Sequence, residues 1–157
     1  MSANVTFVSG FSSATSPSTA VRRGIRWSRY TLVGLATILG AVLANTLFYY
    51  VGSALVGYDS DFVVLASPGG AIIFTFVPAV VAVVLYAGLL RFTQHAARNF
   101  SVIAAIVFVV TLVPDVTYIP TVDGWSPAQT AVLMIMHGIA AAVIVRMLTG
   151  GKYSRAR

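Results

Sequence analysis

The residues of this sequence that could do chemistry are few, and each is set among apolar neighbours. His137 interrupts the otherwise apolar stretch "AVLMIMHGIAAAVIV", and Asp115 follows the stretch "IVFVVTLVP". An imidazole titrates near neutral pH, and a nearby carboxylate could share its proton. Asn45 adds an amide that can both donate and accept hydrogen bonds. Together these side chains predict proton or ligand handling if the fold brings them to one place.

Four further residues lie at helical spacing, three or four positions apart. Tyr49 follows Asn45, Pro78 follows Thr75, and Thr111 precedes Asp115. One of them, Pro78, removes a backbone hydrogen bond and exposes a carbonyl that a ligand could use. The sequence has no cysteine and no HExxH, P-loop or GxSxG motif, so we expect no catalytic residue, no metal ligand and no cofactor. The candidate polar cluster consists of Asn45, Tyr49, Thr75, Pro78, Thr111, Asp115 and His137.

The composition indicates an integral membrane protein. Hydrophobic residues make up 58% of the chain and charged residues only 9%, whereas a soluble domain carries about 25% charged residues. The ten basic residues form short clusters beside apolar stretches. Such clusters are typical of topology determinants and lipid-headgroup contacts, whereas nucleic-acid binding would need a basic stripe on a folded surface. We therefore expect the lipid bilayer, and no nucleic acid, as a partner.

Four apolar stretches approach the roughly 20 residues that a helix needs to cross a bilayer. They occupy about residues 30–52, 70–90, 100–118 and 127–148. The last begins after "WS", with Ser126 as N-cap and a proline in the first turn, where a missing N–H costs nothing. The predicted fold is all-α: an antiparallel bundle of four transmembrane helices within residues 22–150.

The basic residues all fall on one side of these spans. Four precede the first span, Arg91 and Arg98 lie between the second and third, and four lie at or beyond the end of the fourth. The charged residues in the connections on the other side are all acidic: Asp59, Asp61 and Asp123. The positive-inside rule therefore predicts a multi-pass protein of the cell membrane with its N- and C-termini in the cytoplasm.

Three segments lie outside the spans. Residues 1–21 are uncharged and rich in serine and threonine, which predicts a disordered cytoplasmic tail, and residues 151–157 predict a basic cytoplasmic tail. The outer loop 53–69 contains "DFVVLAS", which fits either a short strand or an interfacial segment. An alternative is that the first span is a signal peptide cleaved after Ala44, but the apolar stretch continues beyond that residue without a break.

Side-chain depths follow from the rise of about 1.5 Å per residue in an α-helix. They place the candidate polar cluster in the central and outer parts of the membrane and predict a pocket that opens outward. In that pocket Asp115 lies near the mouth and His137 near the floor. Structural interpretations stand beside the functional one: His137 could donate to Asn45 or to a tyrosine hydroxyl and fix the register of its helix, and Asp115 could reach water at the membrane boundary.

Small residues at four-residue intervals predict where helices pack closely, because helices in lipid associate through such residues. The first span carries Ala36, Gly40 and Ala44, and the fourth carries Gly138 and Ala142. These stripes predict close contact between two helices, either of one chain or of two copies.

Three stretches of the membrane part resemble an uncharacterised family of small prokaryotic four-helix membrane proteins, a domain of unknown function. They are "LANTLFYYVG", "RNFSVIAAIVFVVTLVPD" and "LMIMHGIAAAVIV". The resemblance extends from Arg22 to about Leu148 and draws attention to Asn45, Pro114 and His137. It implies a fold and a location, and no activity.

The leading functional hypothesis is a non-enzymatic membrane protein, either an accessory subunit or a partner-binding protein. A second copy in a homo-oligomer or another membrane protein is the expected partner. The alternative is a small transporter or channel, in which His137 responds to protons or substrate and Asn45, Tyr49 and Asp115 line the path. A membrane enzyme acting on a lipid or a quinone is disfavoured, because the sequence shows no nucleophile, metal set or cofactor motif.

Overall fold

The computed structural model describes residues 27–151, which form four long α-helices and no strand. Each helix is long and apolar enough to cross a membrane. The prediction of an all-α protein with four membrane-spanning helices is therefore confirmed. The predicted tail 1–21 and residues 152–157 of the predicted basic tail lie outside the described residues. The helices are α1 (Trp27–Val56), α2 (Pro68–Phe92), α3 (Ala96–Thr117) and α4 (Pro127–Thr149), with a short 3₁₀ helix at Ile119–Thr121.

The first helix is longer than the predicted span 30–52, and the outer loop is correspondingly shorter. The helix ends where Gly57, whose N–H donates to the Ser53 carbonyl, takes a φ of +67°. This left-handed conformation favours glycine and commonly ends a helix. The stretch "DFVVLAS" forms turns rather than the strand that we considered, and its Phe62 and Leu65 side chains are buried.

Local capping fixes the start of α4 as the sequence predicts. The Ser126 hydroxyl accepts a hydrogen bond from the Gln129 N–H at 3.3 Å, and Pro127 occupies the first turn. The indole N–H of Trp125 donates to the Thr130 hydroxyl at 2.7 Å. These bonds hold the entry of α4 to the loop that precedes it.

The helices pack in the cyclic order α2, α1, α4, α3. Helix α1 lies against both α2 and α4, and α3 lies against α4, whereas α2 and α3 contact each other much less. Two groups of buried side chains fill the bundle. One surrounds Tyr86 and Phe100 near the α2–α3 loop, and the other surrounds Tyr49 and Phe62 near the α1–α2 loop. The fold is therefore a four-helix bundle in which α2 and α3 pack only loosely against each other. We call the opening between these two helices the parted seam.

Only part of the small-residue prediction agrees with the packing. Gly40 faces α4, since a Cβ there would lie 3.3 Å from the Met147 sulfur. Ala36 and Ala142 are exposed, and a Cβ at Gly138 would meet nothing within 4 Å. Ala36, Gly138 and Ala142 therefore do not pack closely within one chain, and their contact between two copies stays a prediction. The buried face of α1 is turned by a fraction of a helical turn away from the predicted stripe of Ala36, Gly40 and Ala44. It consists of Tyr30, Gly34, Thr37, Ala41, Asn45, Tyr49 and Gly52.

Candidate functional site

A cavity of about 690 Å³ lies between α2, α3 and α4. This volume is within the range of about 300–1,000 Å³ that is usual for small-molecule sites. Its wall on α4 runs from Leu133 to Val145, a length of about 18 Å along the helix axis. The wall is apolar except at the end near the α1–α2 loop. The polar side chains at that end are Asn45, Thr75, Thr111, Asp115 and His137.

The cavity opens sideways, through the parted seam between α2 and α3. The lining side chains Phe74, Val77 and Val81 of α2 are 74%, 53% and 60% exposed. At the polar end, Leu65 of the loop and Ile119 of the 3₁₀ helix line the cavity and are themselves buried. The prediction of an outward opening is therefore wrong, because loop side chains form a roof over that end.

The His137 ring lies beside the Asp115 carboxylate. Its Nδ1 is 2.9 Å from the Leu133 carbonyl oxygen, one turn earlier in α4, and 3.3 Å from Asp115 Oδ2. Because a carbonyl oxygen only accepts, this nitrogen must carry the hydrogen, which leaves Nε2 as the acceptor of the neutral ring. The hydrogen-bond partner of His137 is therefore a backbone carbonyl of its own helix and not Asn45 or a tyrosine, as the structural interpretation had it, while the carboxylate of the functional interpretation lies beside the ring.

Asp115 is buried, with only 5% of its surface exposed, so the expectation that it reaches water at the membrane boundary is wrong. Nor is it separated in depth from His137. The depth estimate assumed that the helices end at one level. However, α3 ends two residues after Asp115, whereas ten residues of α4 precede His137. Helix α4 thus extends beyond α3, and the two side chains meet at the same end of the cavity.

Asn45 joins α1 to α2 at this end. Its Nδ2 donates to the Thr75 hydroxyl at 2.8 Å, and that hydroxyl donates to the Ala71 carbonyl at 2.7 Å. Both residues are buried. The interhelical hydrogen bond that we expected of Asn45 is present, with a threonine as its partner.

Two acceptor atoms of the polar end have no hydrogen-bond partner in the part of the chain that the structure describes. They are Asn45 Oδ1 and Asp115 Oδ2, both buried. The approach of Oδ2 to the His137 ring lacks hydrogen-bond geometry. Leaving a buried acceptor unpaired costs about 1–3 kcal/mol, and more for a charged one. The chain thus leaves the hydrogen-bonding capacity of these two atoms unused, and a bound molecule reaches them only where the two side chains turn toward the cavity.

The remaining members of the candidate polar cluster divide between the wall and the roof. Thr111 and Pro78 line the cavity, and the Thr111 hydroxyl donates to the Phe108 carbonyl of its own helix at 2.8 Å. Tyr49 lies outside the wall. Its hydroxyl donates to the Leu65 carbonyl at 2.9 Å and thereby holds the roof to α1.

The sequence interpretation missed the roof. Tyr58 in the α1–α2 loop donates from its hydroxyl to the Tyr49 carbonyl at 2.9 Å, and a Cβ at Gly52 would overlap that hydroxyl. Burial, and to a lesser degree the neighbouring Tyr49, raises the pKa of Tyr58 above its ordinary value of 10.0. The signal was the pair Phe62 and Leu65, two large apolar residues three positions apart in a segment beside charged residues.

The described part of the chain contains no group of three His, Cys, Asp or Glu side chains that could hold a metal ion. Residues 25–153 match a family whose description is "Family of unknown function (DUF6069)". No curated protein and no solved structure matches the chain.

Proposed function

This chain belongs to the family of unknown function DUF6069, and from its cavity we propose a non-enzymatic, partner-binding membrane protein whose partner is an amphiphilic small molecule. The molecule enters from the bilayer through the parted seam between α2 and α3. Its apolar part lies along the apolar wall, and its polar head reaches the end that holds Asn45, Asp115 and His137. One observation carries the proposal: an apolar cavity, open toward the lipid side, with unpaired buried polar atoms at its closed end.

We further propose that the protein lies in the cell membrane with both termini in the cytoplasm. Support comes from four arginines near the same end of the bundle. They lie in the first turn of α1 (Arg29), the last turn of α2 (Arg91), the first turn of α3 (Arg98) and the last turn of α4 (Arg146). The opposite end carries aspartates in its loops. With the basic end in the cytoplasm, the polar end of the cavity belongs to the outer half of the membrane.

A membrane-protein partner or a second copy, as expected from the sequence, is a competing occupant of the seam. An amphiphile is favoured because the unpaired atoms lie under the roof of Leu65 and Ile119. A slender head group can reach that position. A helix, about 10–12 Å wide with its side chains, would have to lie along the seam and leave those atoms unpaired.

The experiment uses hexadecanol carrying a photoactivatable diazirine on its chain, with the full chain in lipid nanodiscs. We expect crosslinks on the cavity wall, at Val107 of α3 and along α4, that excess unlabelled hexadecanol suppresses. Ala140→Phe places a ring in the cavity and should abolish them. The matched control, Ala36→Phe on the exposed face of α1, should leave them unchanged. Crosslinks that are not saturable, or that Ala140→Phe leaves intact in a folded protein, would refute binding in the cavity.

The second candidate function is a small transporter or channel, favoured by the contact between the His137 ring and the buried Asp115 carboxylate. Such a pair can take up and release one proton as a substrate passes. In proteoliposomes with a proton gradient, wild-type protein should then drive flux of a lipophilic dye, and His137→Ala should abolish the pH-dependent part. Absence of any flux from wild-type protein would refute transport and leave the binding proposal intact.

A further inference from the structure

We propose that the bound amphiphile has a hydrogen-bond-donating cationic head, a primary or secondary ammonium. This inference rests on the proposed function and narrows its ligand class. The observation that carries it is that Asn45 and Asp115 line the closed end of an otherwise apolar cavity, each with a buried acceptor, Oδ1 and Oδ2 respectively, that accepts no hydrogen bond from the described residues.

The donors of the polar end are directed to acceptors of the chain itself. The amide nitrogen of Asn45 donates to Thr75, and the Thr75 hydroxyl donates to a carbonyl of its own helix. The Thr111 hydroxyl and the Nδ1–H of His137 likewise donate to carbonyls one turn earlier. Acceptors are therefore in surplus, and a ligand satisfies this end by donating hydrogen bonds.

The charge of the wall selects a cation. Among residues 27–151, Asp115 is the one acidic residue that lines the cavity, and no lysine or arginine of this range lines it. Of the described wall residues, His137 is the only other titratable group that faces Asp115, since α1 and α2 contribute the uncharged Asn45 and Thr75. An ammonium would pair with the carboxylate and donate to the amide oxygen at once, whereas a carboxylate head would be repelled.

The test is competition against the diazirine-bearing hexadecanol by four unlabelled amphiphiles of the same chain length. They are hexadecylamine, hexadecyltrimethylammonium, hexadecanol and hexadecanoic acid, each expressed as its mole fraction in the nanodisc lipid so that unequal partitioning is corrected. Because a hydrogen bond to a charged group is stronger than a neutral one, the amine should compete roughly tenfold or more better than the alcohol. Asp115→Asn should bring the amine to within about threefold of the alcohol.

The outcomes separate the two proposals. Competition by the acid at or above the level of the amine overturns the ammonium head and leaves amphiphile binding standing. Equal competition by the quaternary ammonium, which cannot donate, overturns the donating head. A saturable crosslink that only the unlabelled alcohol displaces also overturns the ammonium head. Failure of the diazirine-bearing hexadecanol to crosslink at all refutes the proposed function. The ranking in the wild-type protein needs no variant, so the inference is decided even if Asp115→Asn does not fold.

Discussion

The hydrogen bond between Asn45 and Thr75 allows a sharp test of how polar groups stabilise this bundle. Thr75→Val removes the acceptor and leaves the buried amide of Asn45 without the partner that it contacts at 2.8 Å. Because an unpaired buried donor costs about 1–3 kcal/mol, we expect a loss of about 2 kcal/mol in the free energy of unfolding. That change multiplies the unfolded-to-folded ratio by roughly 30.

Asn45→Leu should cost less, although it removes the same hydrogen bond. It eliminates the donor together with the unpaired Oδ1 acceptor and keeps a side chain of similar size. Hydrogen bonds between membrane helices average about 0.6 kcal/mol and reach about 1.7 kcal/mol. We therefore expect a loss below about 1 kcal/mol for Asn45→Leu, and nearly the same loss for the double variant with Thr75→Val.

The assay is reversible unfolding by titration with sodium dodecyl sulfate in mixed micelles, followed by far-ultraviolet circular dichroism. The control is Thr111→Val, since that hydroxyl bonds only within its own helix and its loss should cost less than about 1 kcal/mol. In the double-mutant cycle, the sum of the two single losses should exceed the double loss by nearly the whole loss of Thr75→Val, because the double variant costs almost the same as Asn45→Leu. Losses that add to within about 0.5 kcal/mol would mean that the two side chains do not interact, and the account of the polar end would fail.

Two further predictions concern the roof and the helix contacts. Because burial and Tyr49 raise the pKa of Tyr58, folding favours the protonated phenol, so its contribution is complete below about pH 10 and declines as the pH rises further. Tyr58→Phe should reduce this alkaline loss, measured as the free energy of unfolding at several pH values between about 8 and 11. If the free energy of unfolding falls with pH as steeply in the variant as in the wild-type protein, the prediction is wrong. Ala41→Leu, at a fully buried position of α1, should lower the free energy of unfolding by about 1–3 kcal/mol through overpacking. The control, Ala36→Leu on the exposed face, should leave it unchanged, and equal losses for the two variants would contradict the orientation of α1.

The fold class could be predicted because membrane spans are recognised by length and composition alone. The start of α4 could also be predicted, since the hydrogen bond from the Gln129 N–H to the Ser126 hydroxyl depends only on neighbouring residues. The end of α1 at Gly57 could not be placed, because the apolar stretch before it shows no break and the positive φ becomes visible only in the structure.

The polar site could be predicted in its members but not in its geometry. Six of the seven candidate residues line one cavity, because polar side chains in apolar helices must face the interior of the bundle. Their relative heights depend on the loop and 3₁₀ helix between α3 and α4, which raise α4 beyond the end of α3 and bring His137 to Asp115. The roof over them depends on Phe62 and Leu65, whose burial is a property of the folded loop.

The orientation of α1 shows why hydrophobic periodicity is a poor guide in this class of protein, and what replaces it. Both faces of the helix are apolar, so no polar stripe marks the outside. The exposed face carries large side chains, among them Leu32, Leu39 and Leu43, while the buried face carries Gly34 and Ala41. Lipid solvates leucine as well as a protein interior does, so burial goes to the residues that allow close approach. The same rule leaves the polar end of the cavity as the one place where side-chain chemistry, rather than size, decides what binds.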